Sequence, residues 1–155
     1  MNVGSTRAGI ALVLALLLGT PALARDADAE RAAMAMLDAF MAAFNARDLA
    51  AWRATLHYPH VRIASGQVAV AATPADYASE ATFAALGAEG WHRSAWADRQ
   101  VVHSGPDKVH IAVRFERYRE DGSLLSAFDS LYIVTKQVTP TGEQWGVLAR
   151  SSYAP

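Results

Sequence analysis

The chain has no cysteine. It can therefore build no disulfide framework, no thiolate nucleophile and no cysteine metal site, and an oxidising compartment would add no staple to its fold. Charge is sparse as well: charged residues make up 19% of the chain and the net charge is −1. Arginines sit scattered among acids with no basic run, which excludes the electrostatic footprint of a nucleic-acid binder. No Gly-rich loop follows a strand to cradle a phosphate, and no serine stands in a nucleophile-elbow pattern. The histidines lack metal-ligand spacing: His57 and His60 are separated by Pro59, and His92, His103 and His110 are dispersed. No metal and no resident cofactor are expected. Repeats, low-complexity tracts and linkers are missing too.

Long apolar runs are confined to one place. Arg7 is the only charged residue before Arg25, and Ala8 to Leu18 is an apolar stretch broken by Gly19, Thr20 and Pro21. The stretch is shorter than the roughly 20 residues a spanning helix needs. Ala22-Leu23-Ala24 then supplies the small-x-small pattern that a signal peptidase accepts. Residues 1–24 accordingly read as a secretory signal peptide and 25–155 as one mature domain. The expectation is a periplasmic or secreted protein, with no membrane association after cleavage.

The mature part begins with a helix. Ala33, Leu37, Phe40, Met41 and Phe44 recur at three- and four-residue steps, one buried stripe after the acidic entry Asp26 to Glu30. Asp48 caps a short second helix with Leu49, Trp52 and Leu56 on one face. His60 to Ile63 alternates as a strand, Ser65-Gly66 turns, and Gln67 to Ala71 returns. Thr73, Pro74 and Asp76 form the start of a third helix stopped by Gly87, with Tyr77, Ala81, Phe83, Ala84 and Leu86 inward. Four long strands complete the chain: Trp91–His103, Lys108–Arg119, Leu124–Val138 and Glu143–Ser152. Asp121-Gly122 reads as a two-residue hairpin turn.

This order of elements resembles the nuclear transport factor 2-like fold, an α+β cone in which a curved antiparallel sheet wraps around a long N-terminal helix. Ala42-Ala43-Phe44-Asn45-Ala46-Arg47-Asp48-Leu49 is similar to the apolar-Asn-x-x-Asp-apolar helix end of ketosteroid isomerases and polyketide cyclases (SnoaL-like proteins). Trp145-Gly146-Val147 followed by Arg150-Ser151-Ser152 resembles the last strand of exported members without an assigned role. The resemblance implies a pocket inside the cone. It also allows a test. Phe40 stands where the isomerases carry their oxyanion tyrosine, and Arg62-Ile63-Ala64-Ser65-Gly66 has no acid where their base falls. Both catalytic groups of that mechanism are missing.

Other chemistry is conceivable. Hairpin arithmetic pairs Arg114 with Asp129 and Leu131 with Arg150, which puts Arg114, Asp129, Arg150 and His110 on one face. That set reads either as an anion- or carbonyl-binding cluster with Asp129 as base, or as a cross-strand ion pair on an outer or dimer-forming face. His57, Tyr58 and His60 gather at the pocket rim, and His60 shares a face with Arg62. A histidine there is either an acid–base group or part of a solvent-facing edge. Phe40, Phe44, Trp52, Tyr58, Tyr77 and Trp91 are the candidate aromatic wall, with Trp91 at the mouth. The sequence thus supports an exported domain that binds a small apolar or carbonyl-bearing molecule, with Asp129 and His60 the candidate catalysts if it is instead a cofactor-independent isomerase, cyclase or dehydratase. A homodimer through the outer sheet face is expected; a protein-interaction module is the third reading.

Overall fold

The computed structural model describes residues 26–139 and 142–154; the signal-peptide assignment lies outside them. Helix α1 runs Ala27–Asn45 and starts where the acidic entry placed it. Asp26 accepts a hydrogen bond from the Ala29 N–H at 3.0 Å, which satisfies one of the donors that a helix start leaves open. Ala29, Ala33, Leu37, Phe40, Ala43 and Phe44 are its buried residues. Met41 is only half-buried. Helix α2, Leu49–Ala54, is capped by Asp48 through the Ala51 N–H at 2.9 Å.

The Asn-x-x-Asp pattern at the end of α1 now has a physical account. The Asn45 amide donates to the Ser94 carbonyl at 2.9 Å and accepts from the Ser94 N–H at 2.8 Å. One side chain thereby ties α1 to the sheet, while Asp48, three residues on, starts α2. Ser94 is buried, so Asn45→Ala strands both of its backbone groups. The expected cost is about 2 kcal/mol, read as a lower urea midpoint with an unchanged m-value.

Six strands form one curved sheet in the order β2-β1-β6-β5-β4-β3. They are β1 (Leu56–Ala64), β2 (Gln67–Ala71), β3 (Arg93–Gly105), β4 (Lys108–Tyr118), β5 (Leu124–Thr139) and β6 (Gly142–Ser152). The sheet is not wholly antiparallel: β1 lies parallel to β6. The helical segments between β2 and β3 take the chain across to the far edge, so its first hairpin joins the meander through the last strand. β1 also begins earlier than the alternation at His60 suggests, and the Tyr58–Pro59 peptide is cis within it.

The third helix is split. Thr73 and Asp76 do form their capping box, but it opens only a 3-10 turn at Pro74–Asp76. Tyr77 is extended and Ala78 has φ 53°; α3 then runs Glu80–Ala88 behind a second box built by Ser79 and Thr82. Phe83 and Tyr77 are buried as expected, whereas Ala81 and Ala84 are exposed, because the break rotates α3 away from the predicted stripe.

Two bulges set the registers that matter. The turn around Asp121-Gly122 is longer than two residues: the Arg119 N–H bonds to the Ser123 carbonyl, and Tyr118 pairs with Leu124. A register shift between Arg117 and Tyr118 restores the anticipated frame, so Arg114 does face Asp129. In the β5–β6 hairpin the opposite happens. Val134 pairs with Val147 as the turn arithmetic requires, but Ile133 pairs with Ala149, leaving Leu148 as the extra residue. Arg150 consequently faces Tyr132, not Leu131, and turns to the other side of the sheet.

Candidate functional site: an aromatic cavity with three arginines

The concave side of the sheet, α1, α2 and the Tyr77 segment enclose a cavity of about 430 Å³, within the range of about 300–1,000 Å³ usual for small-molecule sites. Its apolar wall comes from Phe40, Phe44, Trp52, Trp96 and Phe115. These rings form a connected set. Phe44 lies 4.9 Å from Trp52, Trp52 lies 5.0 Å from Tyr77, and Phe40 meets Tyr132 edge to face at 5.7 Å. Offset and edge contacts of this kind fix ring positions.

The polar side is unusual for such a small space. Arg62 from β1, Arg117 from β4 and Arg150 from β6 all line it, together with His60, Tyr77, Tyr132 and Ser152. Arg150 donates to the Tyr77 hydroxyl at 2.7 Å and reaches the Tyr132 hydroxyl at 3.5 Å. Its guanidinium also stands 5.6 Å from the Phe40 ring centre. Arg117 stands 5.2 Å from the Phe128 ring centre. Arg62 donates to the Ala154 carbonyl at 3.5 Å. The acids on the lining, Asp76 and Glu89, are exposed, and Asp76 is already engaged with Thr73.

His60 sits in the wall of this cavity, 1% exposed, and not on a solvent-facing edge. Its Nδ1 lies 3.0 Å from the Val147 carbonyl. A carbonyl only accepts, so Nδ1 carries the proton and Nε2 is a bare acceptor. That Nε2 is buried without a partner among the described residues. Burial, followed by the Arg150 charge and, more weakly, that of Arg62, pushes the imidazole down to about 4; the Val147 contact opposes the shift. Near neutral pH the ring is uncharged. Tyr77 is pushed upward, first by burial, and stays a phenol. Its oxygen accepts from Arg150, which leaves its proton for another acceptor.

Phe40, Phe44, Trp52, His60, Arg62, Tyr77 and Arg150 all line this one cavity. The other candidates lie elsewhere. Tyr58 turns its hydroxyl to the Arg53 carbonyl at 3.1 Å. Trp91 is not a mouth residue: it is 3% exposed, packs on Phe44 and Phe83, and donates its indole N–H to Ser94. Arg114 and Asp129 form an ion pair at 3.2 Å with both side chains substantially exposed. Their in-register position puts them on the convex face, opposite to Val113 and Phe115, and His110 shares that face. Asp129 thus does not reach the cavity, and the face shared by Arg114, Asp129 and Arg150 does not exist, because the extra residue Leu148 inverts Arg150.

Arg117, Tyr132, Trp96 and Ser152 belong to the site without having been singled out. The signal for Arg117 was present: it continues the inward alternation Val109, Ile111, Val113, Phe115. Tyr132 continues the alternation of Ser130 and Val134 in the same way.

A six-stranded curved sheet packed on a long helix, with a ligand-sized cavity between them, defines the nuclear transport factor 2-like class of α+β domain. More narrowly, the chain belongs to the family described as "NTF2-like protein (DUF6841)", whose model matches residues 29–152. Among solved structures it is similar to a ketosteroid isomerase-like protein from Erwinia carotovora atroseptica, with 20% identity, a TM-score of 0.55 and coverage of 79% of this chain and 93% of that one. It is also similar to a protein of unknown function with a cystatin-like fold from Nostoc punctiforme, at 13% identity and TM-score 0.63, covering 83% and 92%. An NTF-2 like protein of unknown function from Shewanella oneidensis gives 12% identity and TM-score 0.61, covering 80% and 98%. At these identities the likeness concerns the fold. No curated protein matches the chain.

Proposed function

We propose that this domain is an exported binding protein for a small molecule with an apolar, ring-bearing body. The observation that carries the reading is the cavity itself, ligand-sized and walled by Phe40, Phe44, Trp52, Trp96 and Phe115. The absence of the isomerase oxyanion tyrosine supports binding over that chemistry: Phe40 offers only a ring face. Export rests on the N-terminal sequence pattern. Pairing of two copies through the convex face is part of the proposal. Leu131, Ser151, Ile63 and Val68 are in register across four neighbouring strands there, and Leu131, Ile63 and Val68 are exposed.

The test is expression of the full chain in a Gram-negative host. Periplasmic protein should begin at Arg25 by N-terminal sequencing, run as a dimer by light scattering, and carry a small-molecule mass in native mass spectrometry. Cytosolic protein with the leader intact would reject export, a monomer would reject the pairing, and a cavity that neither retains nor takes up any aromatic compound would reject binding.

A second reading, a cofactor-independent isomerase, cyclase or dehydratase acting on a carbonyl compound, is favoured by one observation. The unpartnered Nε2 of His60 is buried in the wall of the cavity that Tyr77 and Tyr132 also line, which brings an acceptor and two hydroxyl-bearing residues to one site. Its expected signature is turnover that disappears in His60→Asn while ligand affinity remains.

A further inference from the structure

We infer that the molecule held in this cavity is an anion, a small aromatic or otherwise flat apolar body bearing one carboxylate, whose head lies among Arg150, Arg117 and Arg62. This deepens the binding reading and rests on it. Three guanidiniums line one cavity, and arginine remains charged in proteins. Removing such a charge from water is costly unless an opposite charge or a full set of acceptors replaces the solvent. Here the replacement is incomplete. Among the described residues neither Arg117 nor Arg150 has a carboxylate in salt-bridge contact. The buried Nε of each has no hydrogen-bond partner among those residues. Among the described residues the acceptors of Arg150 are two neutral phenol oxygens, Tyr77 at 2.7 Å and Tyr132 at 3.5 Å.

The aromatic partners hold these charges in place without neutralising them. Phe40 and Tyr77 flank Arg150, with ring centres 5.6 Å and 5.8 Å away. Phe115 and Phe128 flank Arg117 at 5.9 Å and 5.2 Å. Guanidiniums held in this way present forked N–H donors to a planar carboxylate. The Tyr77 proton, left over after its oxygen accepts from Arg150, adds a further donor to the same head. The rest of the wall is ring surface, which sets the apolar body. Asp76 and Glu89 are exposed residues of the same lining, and the Glu89 charge acts on Arg117 across it, which leaves Arg150 less offset by a carboxylate than Arg117.

The probes are 2-naphthoate and its neutral counterpart 2-naphthalenemethanol, titrated into the full chain by calorimetry at fixed ionic strength. Inorganic phosphate is a third arm that separates carboxylate recognition from general anion binding. The expected result is naphthoate at least about tenfold tighter than the alcohol, with phosphate weaker than naphthoate. In Arg117→Met and Arg150→Met the ratio should fall toward one while the alcohol still binds. The Arg117 variant keeps the test intact should Arg150→Met not fold. Equal affinities in the unaltered protein overturn the anion inference and leave the binding reading standing. Phosphate equal to or tighter than naphthoate overturns the carboxylate assignment. A protein that takes up none of the three overturns both.

Discussion

Gly146→Ala is expected to cost the protein about 3 kcal/mol. A Cβ at position 146 would lie 2.5 Å from Cδ2, 2.7 Å from Nε2 and 2.9 Å from Cγ of His57. The ring cannot swing aside freely. His57 is buried, and its Nδ1 is held by the Thr135 hydroxyl at 2.9 Å. Gly146 occupies the place where β6 first runs beside the start of β1, and the Val147 N–H bonds the Thr55 carbonyl at 2.9 Å, so the backbone has no slack either. Overpacking of this kind moves side chains off their rotamers or shifts the strand, and both lower stability. A double-mutant cycle with His57→Ala decides the cause. If the imidazole is the obstacle, Gly146→Ala should add little on the His57→Ala background. Fully additive losses would show that glycine serves the strand in some other way.

The second large effect is a dependence of stability on pH carried by His60. Its ordinary value is 6.5 and its folded value about 4. As pH falls below about 6.5, the unfolded chain takes up a proton at this position and the folded chain does not. Stability from this group is therefore complete above the unfolded value, falls as pH drops toward about 4, and changes no further below that. The whole span corresponds to about 3 kcal/mol. His57, also lowered by burial, acts with the same sign. The check is the free energy of urea unfolding measured at intervals from pH 7 to acid for the unaltered protein and His60→Asn. The asparagine amide can keep the hydrogen bond to the Val147 carbonyl without titrating. The difference between the two curves should shrink as pH falls through that window. Parallel curves would mean that His60 is not the titrating group.

Much of the fold was legible because its signals are local. The 3.6-residue stripe of Ala33, Leu37, Phe40 and Phe44 located α1. Gln67–Ala71 and Lys108 onward alternated as strands and are strands. The Asn45 to Asp48 motif marked the fold and proved to be a tie and a cap. That His60 and Arg62 share a face of β1 followed from alternation; that this face is the inner one did not.

What was not legible depends on single residues that disturb a count. Nothing in Glu143 to Ser152 marks Leu148 as unpaired, since a bulge is fixed by how two strands meet and by the twist that the sheet must adopt. The hairpin at Asp121 shows the same limit with a benign result: its longer turn and its register shift cancel, and Arg114 meets Asp129 regardless. The break at Tyr77 and Ala78 was hidden because the capping box before it is genuine. On β4 the apolar Val109, Ile111, Val113 and Phe115 dominate the inward phase, and the charged Arg117 that continues it carries no local sign of being turned inward, although a polar residue on a buried face is the more informative observation.

The unpaired Leu148 has a consequence for how this site came to exist and how easily it can be erased. Along a strand, side is a matter of parity: odd positions look one way and even positions the other. A one-residue deletion at Leu148 would leave the turn, the first half of the hairpin and the parallel seam at Val147 intact, yet reverse the parity of everything after it. Arg150 and Ser152 would pass to the convex face and Ala149 and Ser151 would take their places within. The fold's outline would survive while its cavity exchanged a cation and a hydroxyl for a methyl group and a different hydroxyl. The chemistry of the pocket is thus encoded less in which residues β6 contains than in whether their number is odd or even.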